Sequence, residues 1–283
     1  MIQKVLACYI NWNSGNHVPC LIILIMKKLK YFFTIACMFL LAGCFEINED
    51  IDVHADGSGV YSVHTDMSQL LQTMQSYLGK EEMDKQMPGR NIDTTVMMKA
   101  LLDTAQNISA ENKALIKNGS VHLLLNMEKK EFKSDIVIPF KSLGDLQKLY
   151  ISMNNQSLGF NQLFKGMAGK PDTTTSGNEN GMPDMNQFNA IYDFQCHDGL
   201  ISRKLNPEKW KALQQSPQFA QMKDAGSMGI SIPYTLSIVI PRPLKKIDNS
   251  LAKIFPDRKK VIIQYNLIEV FDHPEKFEYT IVY

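Results

Sequence analysis

Residues 51–65 read IDVHADGSGVYSVHT, and that stretch decides the fold class. Ile51, Val53 and Ala55 alternate with polar residues before Asp56-Gly57-Ser58-Gly59, and Tyr61, Val63 and Thr65 alternate with them after it. Period-two alternation on both sides of a glycine-rich turn marks an antiparallel hairpin with one buried face. A three-residue loop Gly57-Ser58-Gly59 pairs Ala55 with Tyr61, Val53 with Val63 and Ile51 with Thr65, whereas a two-residue loop would set apolar against polar. On the other face this register puts Asp52 opposite His64 and His54 opposite Ser62, which makes Asp52 and His64 a candidate polar-face pair. The plainer reading is a solvated cross-strand ion pair worth less than ~1 kcal/mol. Asp52, His54, Asp56 and Gly57 also match the start of a calcium loop, but Val63 stands where a bidentate Glu is needed, and His is a poor ligand for a hard cation.

Working outward, Asp66 caps a helix over 67–78, with Met67, Leu70, Leu71, Met74, Tyr77 and Leu78 on one stripe and Gly79 at its end. The spacing of Val96, Met97, Ala100 and Leu101 predicts a second helix over 93–107, and residues 109–117 add a short helical turn. A second hairpin pairs Met127 with Phe132, Leu123 with Ile136 and Val121 with Ile138; Pro139 ends it, and Ser142 caps a helix to about residue 153. Residues 165–187 are rich in Gly, Pro, Thr and Asn and read as a long mobile loop. Strands return over 190–196 and 200–204 around Asp198-Gly199, Asn206-Pro207 opens a helix, and a weaker helical segment follows to about 224. Residues 233–240 form a strand, and 261–270 with 277–282 read as a last hairpin. The expectation is an α+β domain: a mainly antiparallel sheet of hairpins, about eight or nine strands, with helices packed on one face.

Upstream, residues 26–44 read MKKLKYFFTIACMFLLAGC. Lys27, Lys28 and Lys30 form a positive n-region, residues 31–41 an apolar run too short to span a bilayer comfortably, and Ala42-Gly43 a small-residue cleavage site. Leu41-Ala42-Gly43-Cys44 resembles the lipobox of bacterial lipoproteins. The resemblance implies cleavage between Gly43 and Cys44 and acylation of Cys44, which then holds the protein to a membrane; two or more chains make such attachment stable. The plain alternative is an ordinary secretory signal with a chance cysteine. Residues 1–43 are then leader and signal peptide, with Met26 the expected true start, 44–50 a lipidated polar tether, and 51–283 a single ectodomain. Residue 45 is Phe rather than the Asp that keeps lipoproteins of enteric bacteria at the inner membrane, so the resemblance points to the outer membrane of a Gram-negative cell. Glu46, Glu49 and Asp50 resemble the acidic export signals of some surface lipoproteins.

Removing residues 1–44 takes away four lysines and no acid, leaving 26 bases against 29 acids. That near balance argues against a nucleic-acid partner, which needs a concentrated basic face. Cys196 is the one other cysteine of the mature chain, so there is no disulfide framework and no cysteine-rich metal site; it reads as a small buried hydrophobe. The histidines at 17, 54, 64, 122, 197 and 273 lack local ligand spacing, no catalytic motif occurs, and no cofactor or catalytic residue is assigned. Met67, Met74, Met83, Met87, Met97 and Met98 read first as core and second as a groove for an acyl chain or partner helix.

The order of pieces (the DGSG hairpin soon after Cys44, a helix, then Ile138-Pro139-Phe140-Lys141-Ser142-Leu143, and IPYTLSIVIPRP over 232–243 before two last strands) resembles the LppM-like domain family of bacterial lipoproteins. The resemblance implies an envelope-facing α+β domain, with lipid or glycolipid contact proposed for some members, and supplies no catalytic residue. The functional expectation is a lipid-anchored cell-envelope protein, not an enzyme, that binds a lipid, glycan or protein partner. The alternatives are an envelope hydrolase assembled from distant segments and a structural subunit of an envelope complex.

Overall fold

The computed structural model describes residues 46–79, 81–82, 91–102, 108–154, 189–216, 219–220, 223 and 231–283. The lipobox, the proposed start at Met26, the 165–187 segment and most of the helical segment expected before 224 lie outside them. The α+β class is as expected, but twelve strands form two sheets rather than one.

The first hairpin joins β1 (Glu46–Val53) to β2 (Gly59–Asp66). Its loop has three residues, but they are Ala55-Asp56-Gly57. His54 N donates to Ser58 O at 2.8 Å, Gly57 takes φ 82°, and the Asp56 carboxylate accepts from Ser58 N at 3.0 Å and Ser58 Oγ at 2.6 Å. Val53 therefore pairs with Gly59 and Ile51 with Tyr61. Each partner moves by four residues, an even number, so the faces survive while the expected pairs do not. Gly59 sits in the strand because nothing larger fits: a Cβ there would lie 2.0 Å from Asp52 O and 2.4 Å from the Phe140 ring.

The second hairpin, β4 (Ser120–Asn126) and β5 (Glu131–Phe140), is displaced the same way. Val121 pairs with Ile136 and Leu125 with Phe132, because residues 127–130 form a four-residue turn pinned by Lys129 N donating to Asn126 Oδ1 at 2.8 Å. Pro139 does not end the strand, which runs on to Phe140.

Of the helix expected over 93–107, the first part is instead strand β3 (Asn91–Met97), residues 98–102 are helical as the short helix Met98–Leu102, and residues 103–107 lie outside the described residues. Thr94, Thr95 and Val96 are β-branched, and β4 offers them a partner edge, so tertiary pairing overrides the helical spacing. Of the five helices among the described residues, the third, fourth and fifth in chain order start where their Ser or Asn caps place them. The five are α1 (Ser68–Leu78, Asp66 accepting from Ser68 N), α2 (Met98–Leu102), α3 (Ala110–Ile116, capped by Ser109), α4 (Leu143–Asn154, capped by Ser142) and α5 (Pro207–Gln214, capped by Asn206).

The larger sheet runs β10-β11-β8-β1-β2-β5-β4-β3, with β8 (Pro233–Val239), β10 (Ala252–Ile254) and β11 (Lys260–Asn266); β8 lies parallel to β1 and its other neighbour pairs are antiparallel. The smaller sheet runs β6-β7-β12-β9, with β6 (Tyr192–His197), β7 (Leu200–Leu205), β9 (Lys246–Ile247) and β12 (Tyr279–Val282). The final hairpin does not form. After β11 the chain winds through two 3-10 turns, Leu267–Phe271 and Pro274–Phe277, whose Leu267, Val270, Phe271 and Phe277 are buried, so β12 enters the other sheet. Inner residues of both sheets, among them Ile51, Ile138, Leu236, Phe194, Ile201 and Ile281, belong to one buried cluster with Leu146 and Leu149 of α4.

The expected tether is also corrected. Residues 46–50 are part of β1, with Ile47 and Glu49 buried, because their alternation continues that of Ile51 and Val53.

Candidate functional site

Each face of the larger sheet carries an ionisable cluster. On the outer face, register decides everything. Asp135 on β5 lies directly across from His64 on β2 and from His122 on β4. Its Oδ1 is 2.9 Å from His64 Nδ1 and its Oδ2 3.0 Å from His122 Nδ1. The row extends at both ends: His122 Nε2 is 3.0 Å from Asp93 on β3, and His64 Nε2 3.9 Å from Asp50 on β1. Asp50, His64, Asp135, His122 and Asp93 thus span five neighbouring strands.

A neutral imidazole carries one N–H, so His122 can hydrogen-bond a carboxylate through both nitrogens only as the imidazolium. Its bonds to Asp93 and then Asp135 accordingly raise its pKa above the ordinary 6.5. Partial burial works to raise Asp135, but its bonds from His64 and His122 outweigh this and hold it below 3.8. Asp52 and His64 are not brought together. Asp52 pairs with Val60 and His64 with Asn48, and the carboxylates that His64 meets are Asp135 and, at longer range, Asp50. The register shift of the first hairpin separates them, and the two-residue displacement of the second hides Asp135, since the expected pairing sets His122 across from Val137.

On the inner face, Glu49 is 1 % exposed; its Oε1 accepts from the Tyr150 hydroxyl and its Oε2 from that of Tyr234. Burial pushes its carboxyl up, against the bond from Tyr150 and the charge of Arg203. Arg203 on β7 is also 1 % exposed, with its guanidinium carbon 4.2 Å from the centre of the Tyr192 ring. Its three nitrogens, like the hydroxyls of Tyr265 and Tyr279, have no hydrogen-bond partner among the described residues. Glu49 and Arg203 place an acidic and a basic side chain in the shared interior. Nothing local announces this pair: Glu49 sits in an alternating strand, and Arg203 in a short strand whose Ile201, Ser202 and Arg203 are all buried. The burial of Glu49 also removes it from the row of acids that resembled an export signal.

The other candidates are quieter. Cys196 is buried, its thiol pushed up to about 12 by burial, so it is protonated and unreactive as a nucleophile. His54 Nδ1 contacts Ser58 Oγ at 3.2 Å, but Ser58 gives its proton to Asp56, which makes this turn chemistry. Met98 is buried and Met97 is 53 % exposed, so those two methionines do not share one apolar lining. Among the described residues no His, Cys, Asp and Glu group has the arrangement to hold a metal, and no helix is long and apolar enough to cross a membrane. Gly43 and Cys44 lie outside the described residues. No family model matches the chain, and no curated protein or solved structure matches it.

Proposed function

We propose that this is a lipid-anchored protein of the cell envelope, held through acyl chains on Cys44, whose domain works by binding a lipid, glycan or protein partner rather than by catalysis. The anchor rests on Leu41-Ala42-Gly43-Cys44, and Phe45 favours the outer membrane. The binding reading is carried by the state of the histidines: His64 and His122 meet carboxylates across an open sheet face, and no Ser, Thr or Cys among the described residues is hydrogen-bonded to either. Imidazoles and carboxylates set in a row along a sheet face, with no Ser, Thr or Cys bonded to them, favour a polar binding surface over a covalent-catalysis site.

Growing cells with radiolabelled palmitate tests the anchor: label is expected on the parent protein and absent from Cys44→Ala. An unlabelled parent sinks the anchor. Crosslinking in intact cells tests the binding reading, with a specific adduct to an envelope component expected. Hydrolysis of an envelope ester or glycan by the purified protein, lost on changing His64 or His122, overturns it.

A further inference from the structure

Near-balanced total charge hides a concentrated segment. Residues 241–260, PRPLKKIDNSLAKIFPDRKK, hold seven cations and two acids, and they carry β9 and β10, one edge strand of each sheet. Of the seven, Arg242 is paired with Asp198 at 2.5 Å. The rest meet neutral groups or no carboxylate among the described residues. Lys245 donates to the Tyr283 carbonyl at 3.2 Å, Lys253 to Gln264 Oε1 at 3.1 Å, Arg258 twice to the Leu244 carbonyl at 3.0 and 2.6 Å, and Lys260 stands 5.4 Å from the Phe255 ring. Of the two acids, Asp248 is engaged by Lys204 at 2.9 Å, and Asp257 accepts from Lys259 N at 3.0 Å.

The same segment exposes Leu251 (39 %), Ile254 (45 %) and Phe255 (41 %). Large exposed apolar side chains elsewhere among the described residues are Met97 and Ile151, which stand apart in sequence. A lysine on a short edge strand is ordinary protection against edge-to-edge pairing, and that accounts for Lys253. It does not account for three exposed apolar side chains within five residues.

We infer that residues 245–260 form a surface that docks on an anionic phospholipid bilayer, with Leu251, Ile254 and Phe255 entering the interface and the surrounding lysines meeting lipid phosphates. A soluble polyanion would use the charges alone, whereas a bilayer uses both. The inference rests on the binding reading above and selects lipid among its partners. Lys260 pairs with Val239, which pairs with Asp52, while Ala252 lines up through Ile263 and Leu236 with Glu49, so the patch runs from the middle of the sheet to the end away from Glu46.

The test uses the protein as cells produce it, reconstituted in neutral phosphatidylcholine vesicles and offered labelled vesicles with or without phosphatidylglycerol. Capture of the anionic vesicles alone is expected, falling with salt. Lys253→Glu/Lys259→Glu/Lys260→Glu should weaken it at least tenfold, since each lysine near such a surface contributes about fivefold. Leu251→Ser/Ile254→Ser/Phe255→Ser should weaken it too, while leaving binding to heparin unchanged. No capture by the folded parent, or capture indifferent to the apolar substitutions, overturns the inference; the latter with strong heparin binding identifies a polyanion as the partner. Circular dichroism of each variant separates loss of binding from loss of fold. Failure of the parent to stay on neutral vesicles defeats the anchor instead, and the patch is then read by sedimentation with anionic vesicles.

Discussion

Glu49 and Asp135 are carboxylates on the same sheet, on opposite faces, and their proton affinities move in opposite directions. Each accepts hydrogen bonds on both oxygens from side chains of neighbouring elements: Glu49 from two tyrosine hydroxyls, Asp135 from two imidazoles. The number of bonds therefore does not separate them. Glu49 is sealed from water and its donors are neutral, so burial wins. Asp135 is partly solvated, and its donors can carry the opposite charge, so pairing wins. The inner carboxylate ties β1 to its neighbour β8 and to α4, while the outer one is free to respond to the medium.

The largest effects are expected inside. Arg203→Met leaves Glu49 buried without its opposite charge and should cost about 3–5 kcal/mol in urea unfolding. Replacing both, Glu49→Leu with Arg203→Met, should cost less than the single change; a double variant at least as unstable as the single would mean that the two charges do not compensate one another. On the outer face Asp135→Asn should cost less than ~1 kcal/mol, as exposed pairs do. A loss as large as that at Arg203 would break the contrast.

The smallest effect is the dependence on pH. His122 is raised, so its contribution is full below the ordinary 6.5 and fades as pH rises through its folded value. Asp135 is lowered, so its contribution is present above 3.8 and fades as pH falls through its folded value. The row should be tightest in the mildly acidic window between them. NMR titration of His122 checks this: its midpoint should lie above 6.5 in the parent and fall in Asp93→Asn.

Most of the frame can be read from the chain because caps and turns are local. Ser109, Ser142 and Asn206 each hydrogen-bond a backbone N–H within three residues, and Asp198-Gly199 closes its hairpin with His197 paired to Leu200. Which residue faces which across a ladder is less legible. Alternation fixes the side of the sheet but is blind to shifts by an even number, and such shifts moved both long hairpins. The outer row depends on those registers and the inner pair on the meeting of two sheets, so neither has a local signature. The basic segment at 241–260 was legible by a running charge count, and the whole-chain total concealed it.

The parallel pairing of β1 with β8 bears on the order in which the protein can be built. Ile47 is matched to Tyr234, nearly the whole domain away, and β1 stays open along one side until that partner is made. Contacts so distant along the chain close late and slowly. If the chain is exported N-terminus first, as proposed, it cannot finish its central sheet until almost all of it has emerged, and a factor that shields the open side of β1 in transit would then limit its misassembly.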